Sequence, residues 1–497
     1  MAKLRWSLPF VFALMFWASY HPLNLSFLGF VSLVPLLVYA QTTSGKKSFF
    51  VAWAGGYVAF ALGYGWFGYT VPAGPYLVAV YMGLWVPIFV TIVRRVGILW
   101  SPVVWVAIEV LRSTLFSGLP WLLLGYTQHN LLYLIQIADL GGIWLVSLLV
   151  AFVSAAIVHP SRKLKVAVAA AIVLSVVYGA IRVETMKLID GPKIAVIQPN
   201  IPQQLKKASL DDERVAIGNY EKHVKLTVDA AADKPDLIVW PEAAIYRGVY
   251  VNTDAEPYFE ETRWYKRLLR PAEETKIPMV TGLLIVDYGK GHPDQYSNSA
   301  VRVDPEKGVT GRYNKIHLVP FAEQYWIFKP IVHAISGLKL ESMTPGKEVP
   351  LWDAAGYKFG TQICFEAIFP DISREIARKG GSFTVNISND GWFKDSYELD
   401  QMLVMARFRS IENRIHMIRA TNTGISAFIE PTGRIQATLE VGGKVKEVEG
   451  VLAGRIKLTE STSVYRAAGD WAAWLSLGAA AAVLLRRILV DRKTKSA

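Results

Sequence analysis

The chain has 497 residues, enough for two or three domains. Its 52% hydrophobic content, 16 tryptophans and mean hydropathy of +0.28 are high for a wholly water-soluble protein. The net charge of +12 does not point to nucleic acid, because much of the Lys/Arg excess lies in short loops beside apolar stretches, and the single cysteine excludes an intrachain disulfide.

Hydropathy divides the chain into three. Residues 1–183 are almost all apolar, residues 184–466 hold most of the charge, and residues 467–497 are apolar and then basic. This predicts an N-terminal membrane domain of about seven helices, an α/β domain outside the bilayer, and a closing membrane helix with a basic tail. The spans fall at 8–20, 23–40, 49–69, 76–92, 98–116, 135–158 and 166–181, with an eighth at 471–489. The first follows Lys3 and Arg5 as a signal peptide would. No small-residue cleavage site follows it, and a second span begins at once.

Loop charge orients the spans. Lys3, Arg5, Lys46, Lys47, Arg94, Arg95, Arg162, Lys163, Lys165 and the terminal Arg486, Arg487, Arg492, Lys493 and Lys495 lie on one side. The turns around His21-Pro22, 70–76 and 117–130 carry no lysine or arginine. The positive-inside rule puts the basic side in the cytoplasm. Seven spans then deliver residues 184–466 to the other side, the periplasm in a Gram-negative bacterium.

Three features of the spans are ambiguous. Gly63, Gly65 and Gly68 spell GxGxxG, but inside an apolar span, where close helix packing is the better reading. Residues 120–134 are apolar yet hold Gln128, His129 and Asn130, as a re-entrant or interfacial loop would. Arg112, near a span end, reads as a snorkelling side chain or a lipid-phosphate ligand.

In the charged middle, β-rich runs occur at 194–197, 237–240, 279–286, 300–303, 357–363, 383–387, 417–420, 426–429 and 451–456. Helical patterns occupy 215–231 and 257–270, the second with Pro257 in its first turn. Val404, Phe408, Ile411 and Ile415 trace one face of an amphipathic helix. The sum is an α/β domain with helix-covered sheets.

Three polar residues carry candidate chemistry. Cys364 ends the run 357–363, and Asp371 is placed to cap a following helix whose N-terminus would favour thiolate. Glu242 ends the strand 237–240 after Trp240-Pro241. Lys315 lies in the run RYNKIH. Together a carboxylate, an ammonium and a thiol form an acyl-transfer set: base, oxyanion partner and nucleophile. A core cysteine, a strand-end acid and a loop lysine are the plainer readings, and spacing alone leaves both open.

The words around these residues decide the matter. IVWPEAAI, RYNKIHLVPFAEQ, QICFEAIFPD, ISNDGWF and MARFRSIENRIHMIRATNTG resemble the nitrilase superfamily and, within it, the membrane-embedded apolipoprotein N-acyltransferases. The spans before and after fit as well. The resemblance implies a polytopic α-helical membrane domain of about eight spans plus a nitrilase-like αββα sandwich. It implies Glu242, Lys315 and Cys364 as catalytic, with Glu323, Glu366, Phe365 and Asn314 in support and Asn389 and Trp392 on the substrate side. The implied reaction is ping-pong acyl transfer in the bacterial inner membrane. A phospholipid, phosphatidylethanolamine, acylates Cys364, and the amine of a diacylglyceryl apolipoprotein takes the acyl group from the thioester. No cofactor and no metal is implied.

Two departures stand out. Phe365 replaces the tyrosine common after the nucleophile, and Lys207 stands where the family often has tryptophan. The run 321–338, with Trp326 and Phe328, reads either as a membrane-facing lid or as a core helix. The rival functions are a membrane-tethered amidase of small amides and a transporter. The transporter reading is disfavoured because the spans hold few ionisable residues, chiefly Glu109, Arg112 and Asp139.

Overall fold

The computed structural model describes residues 4–254, 259–290, 292–324 and 342–496. The chain forms two compact units. One comprises Met1–Met186, Ser396–Arg414 and Ser461–Ala497; the other comprises Lys187–Asp395 and Ile415–Glu460. The sequence division keeps 184–466 whole, whereas by its contacts the segment Ser396–Arg414 groups with the helical unit.

The first unit is helical. Helices form at all eight expected spans, and five are long and apolar enough to cross a bilayer: Gly74–Val96, Ile98–Ser117, Leu134–Val158, Arg162–Glu184 and Trp471–Thr494. Leu4–Ala18 and Phe27–Thr42 are shorter, and Gly45–Gly63 completes the set. Leu174 and Leu475 remain exposed on the outer helices, as apolar side chains that face lipid must be. A Cβ on Gly63 would lie 2.4 Å from Leu122 Cδ1, so this glycine serves helix packing and not a dinucleotide.

Residues 120–129 form the irregular segment expected from the sequence, and all are buried. Arg112 does not snorkel. It is 2% exposed and donates to the carbonyls of Trp121 at 2.7 Å and Leu122 at 2.6 Å. Glu109 accepts from the Leu124 N–H at 2.6 Å and the Trp105 indole at 3.0 Å. Two buried ions thus satisfy backbone that water cannot reach.

The helix Glu398–Asn413 belongs to this unit and is buried on most of its surface, polar residues included, with only Asp400, Leu403 and Arg407 part-exposed along one face. Trp121 donates to Gln401 Oε1 at 2.6 Å, and the Ile143 N–H donates to Glu412 Oε1 at 2.9 Å. The helix ends at Arg414, which is left-handed with φ +53°, so Ile415 lies outside it. Arg414 donates to Asp139 Oδ2 at 2.7 Å, Arg182 meets the same oxygen at 2.9 Å, and Tyr178 donates to Oδ1 at 2.6 Å.

The second unit is a sandwich. One sheet orders its strands β13-β1-β2-β4-β5-β6, with β3 paired to β4. Its strands are β1 (Ile189–Gln198), β2 (Leu237–Val239), β3 (Ile245–Asn252), β4 (Met279–Gly289), β5 (His292–Asp304), β6 (Gly308–Asn314) and β13 (Gly450–Leu458). The other runs β12-β11-β10-β9-β8-β7. Its strands are β7 (Trp352–Ala354), β8 (Tyr357–Ile363), β9 (Phe383–Ser388), β10 (His416–Thr421), β11 (Ala427–Ile429) and β12 (Ile435–Thr438). Parallel β1/β2/β4 and β8/β9/β10 form the centres, which read as continuous apolar runs for that reason.

Val196, Val239 and Val280 meet Phe359, Phe383 and Ile387 in one core between the sheets. Tyr220, Val224 and Leu268, from helices Glu213–Ala231 and Arg263–Thr275, cover the outer face of the first sheet. The second of these helices starts at Arg263, capped by Thr262, and Pro257 lies outside the described residues.

Candidate active site

Glu242 follows β2 in a tight turn. The next residue, Ala243, is left-handed with φ +49°, and β4 closes on the turn through Gly282. A Cβ there would lie 2.6 Å from Glu242 Cα. Glu242 is 7% exposed and is not a surface acid. Its Oε1 accepts from Asn298 Nδ2 at 2.7 Å, and its Oε2 accepts from the Asn389 N–H at 2.9 Å.

Lys315 directly follows β6, and its N–H donates to the Asn298 carbonyl at 2.9 Å. Its ammonium is 2.9 Å from Glu323 Oε2 and 3.7 Å from Glu242 Oε1. Burial pulls that ammonium down, but Glu323 and Glu242 more than offset it and hold it above the ordinary lysine value. Glu323 also accepts from Asn298 Nδ2 at 2.8 Å and from the Val319 N–H at 2.9 Å. Asn298 and Glu323 therefore set the spacing of base and lysine.

Cys364 ends β8 with φ +53°, an unusual conformation for a residue with a Cβ. It opens the short 3-10 turn Cys364–Ile368, and Asn386 Nδ2 donates to its carbonyl at 3.2 Å. Burial raises the thiol well above its ordinary value, and Glu242 adds to the effect while Lys315 opposes it. Burial thus works against the thiolate that a helix N-terminus would favour. The helix Pro370–Arg378 starts only later, and Asp371 does not cap it. Its carboxylate instead accepts from His317 Nε2 at 2.7 Å.

Glu366 is fully buried, against the plain reading of a surface acid. One oxygen accepts from the Tyr313 hydroxyl at 2.7 Å, the Ile316 N–H at 2.7 Å and the His317 N–H at 3.1 Å. The other accepts from the Ile363 N–H at 2.7 Å. One carboxylate therefore ties the chain just after Lys315 to the chain just before Cys364. Burial holds its carboxyl above the usual range, against the pull of these donors.

The remaining expected residues scatter. Phe365 sets its ring edge-on to Phe369, 5.1 Å between centroids. Asn314 turns to Ser299 and Arg312, whose side chains donate to its Oδ1 at 2.8 and 2.7 Å. Asn389 serves Glu242 through its backbone. Trp392 is partly exposed, with Lys207 Nζ 4.8 Å from its ring centre. Trp326 and Phe328 lie outside the described residues. Sequence reading missed Asn298, Asn386 and the fully buried ion pair Arg419–Asp390 at 2.9 Å, which no local pattern marks.

A buried carboxylate, an ammonium and a protonated thiol in one electrostatic cluster can move a thiol proton as sulfur attacks a carbonyl carbon. The carbon-nitrogen hydrolase family model matches residues 193–464, and that of the apolipoprotein N-acyltransferase N-terminal domain matches residues 12–156. An apolipoprotein N-acyltransferase of Geobacter metallireducens is 33% identical over 493 residues, covering 93% of this chain and 91% of the relative. The chain belongs to the apolipoprotein N-acyltransferase family.

The acyltransferase of Haemophilus influenzae is 29% identical over 486 residues, covering 91% of this chain and 89% of its own. Among solved structures, Saccharomyces cerevisiae Nit3 of the nitrilase superfamily matches with TM-score 0.41 at 18% identity, over 57% of this chain and 96% of that one. An amidase from Nesterenkonia sp. matches with TM-score 0.37 at 18% identity, over 54% and 92%. This acyltransferase is a membrane enzyme of lipoprotein N-acylation, and the amidase and transporter readings are set aside.

Proposed function

We propose that Cys364 is the nucleophile of a two-step reaction whose acyl donor is phosphatidylethanolamine. Glu242 takes the thiol proton as sulfur attacks the ester carbonyl. The tetrahedral oxyanion is stabilised by Lys315 and by backbone N–H groups after Cys364. The ester C–O bond breaks, the lysophospholipid leaves with the proton from Glu242, and a thioester remains. The α-amino group of a diacylglyceryl apolipoprotein then attacks. Its proton passes to Glu242, the C–S bond breaks, and the thiol regains a proton. Glu323 and Glu366 act as positioning residues. The enzyme sits in the inner membrane with the catalytic domain, residues 184–466 in the sequence division, on the extracytoplasmic side, a reading supported by loop charge.

The observation that carries this reading is the buried cluster in which Lys315 lies 3.7 Å from Glu242 and 2.9 Å from Glu323, with the charges of Glu242 and Lys315 acting on the Cys364 thiol. A raised thiol needs a base, and Glu242 is the carboxylate that acts on it. The membrane helices fit because both substrates carry chains that cost about 0.8 kcal/mol per CH₂ to lift into water.

Intact mass spectrometry tests it. Wild type incubated with phosphatidylethanolamine gains one hydroxylamine-labile acyl group, which a diacylated lipopeptide discharges. Cys364→Ala gains none. No adduct on folded wild type overturns the thioester, and a larger adduct yield from phosphatidylglycerol overturns the donor assignment.

A further inference from the structure

Lys206 lies on the short helix Gln203–Ala208, one residue before the exposed Lys207, and yet is only 2% exposed. Its ammonium donates to the carbonyl oxygens of Glu242 at 3.2 Å and Ala243 at 3.1 Å. These belong to the turn that carries the base, and Ala243 is its left-handed residue. The same helix reaches the base by a second route. Gln203 Oε1 accepts from Asn389 Nδ2 at 3.1 Å, and the Asn389 N–H donates to Glu242 Oε2.

We infer that Lys206 is a positioning residue for the catalytic base: it holds the two carbonyls of the strained turn so that the Glu242 carboxylate faces Cys364. The inference rests on the assignment of Glu242 as base and extends it to the element that aims it. A buried ammonium is a costly way to fill space. Burial draws its pKa down to about 7, with Glu242 pulling it back up. His223, on the helix Glu213–Ala231, also faces it, and burial keeps this imidazole neutral with a pKa of about 3. A methionine would pack at this position without that penalty. Strain at a functional turn persists only when its surroundings over-determine it. Here Gly282 presses on the turn and Lys206 ties it down.

The test compares full-length wild type, Lys206→Met and Lys206→Arg in detergent, following thioester formation from phosphatidylethanolamine and thermal unfolding. We expect Lys206→Met to unfold at the wild-type temperature or higher while kcat falls about 10²-fold at unchanged KM. Lys206→Arg, which keeps donors for both carbonyls, should recover most of the rate. A Lys206→Met enzyme of wild-type rate overturns the inference. So does a rate loss matched by lower unfolding temperature or by failure to fold, since the lysine would then be structural. Wild-type thioester formation in the same experiment separates this outcome from failure of the parent mechanism.

Discussion

Buried ions do opposite work in the two units. In the helical unit the cations match or outnumber the carboxylates. Asp139 faces two guanidinium groups, those of Arg414 and Arg182. Glu109 lies 3.7 Å from Arg112, whose own donors are spent on two carbonyls. In the sandwich, Lys315 serves two carboxylates, Glu242 and Glu323, so the cluster holds one negative charge more than it neutralises. Burial raises the Cys364 thiol above its ordinary value, and Glu242, from this cluster, adds to the effect. Where cations match or outnumber carboxylates the ions hold structure; where carboxylates are in excess one is left free to take a proton.

The sharpest test removes the ion that sets the spacing of the reactive cluster. Glu366→Gln replaces an oxygen that accepts N–H or O–H donors with an NH₂ group that cannot. Losing one partner from a buried charged network costs on the order of 3–5 kcal/mol. Thioester formation per folded molecule should fall roughly 10²-fold, because the chain ends bearing Lys315 and Cys364 are no longer tied. Mass spectrometry of the adduct, normalised to folded protein, reads the second effect separately. A folded variant of wild-type rate would mean that Glu366 is only a structural acid.

Arg112→Met makes the converse break. It strands Glu109 and two carbonyls in the helical unit and should cost about 3 kcal/mol of stability in thermal unfolding. The acylation rate of the molecules that remain folded should not change. A specific loss of rate at unchanged stability would show that the balanced cluster also serves the chemistry.

The sandwich was legible in the sequence because its central strands are buried on both faces and read as apolar runs. Glu242, Lys315 and Cys364 were singled out by the words around them, and the structure gathers their charges in one cluster. Glu366 was legible only through those words: its four donors come from two segments about fifty residues apart, and no local pattern encodes that. The helix Glu398–Asn413 was misread because Val404, Phe408 and Ile411 mark a face, whereas Arg409, Glu412 and Asn413 are buried too, each held by polar partners invisible to a periodicity. Arg112 was misread for a related reason. A basic residue near a span end ordinarily snorkels, and only the fold reveals carbonyls that need it.

The weakest ionic contact calibrates the comparison. His317 and Asp371 pair at 2.7 Å, with the aspartate side chain 48% exposed. Burial disfavours charge on each, but the partner wins: Asp371 lies below the usual carboxylate value and His317 above the usual histidine value. The aspartate's contribution is present above its unfolded pKa, about 3.9, and is lost as pH falls through its lowered value. The histidine's is complete below about 6.5 and is lost as pH rises through its raised value. The pair therefore contributes most between about pH 4 and 6.5. A double-mutant cycle with His317→Gln and Asp371→Asn should give a coupling of about 1 kcal/mol or less at pH 6, because solvent screens the aspartate. By pH 9 the coupling should vanish, while the His317 ring still stacks on Phe369 at 4.1 Å. A coupling that persists at pH 9 would mean that the contact is a neutral hydrogen bond, and that burial, not charge balance, decides what an ion is worth here.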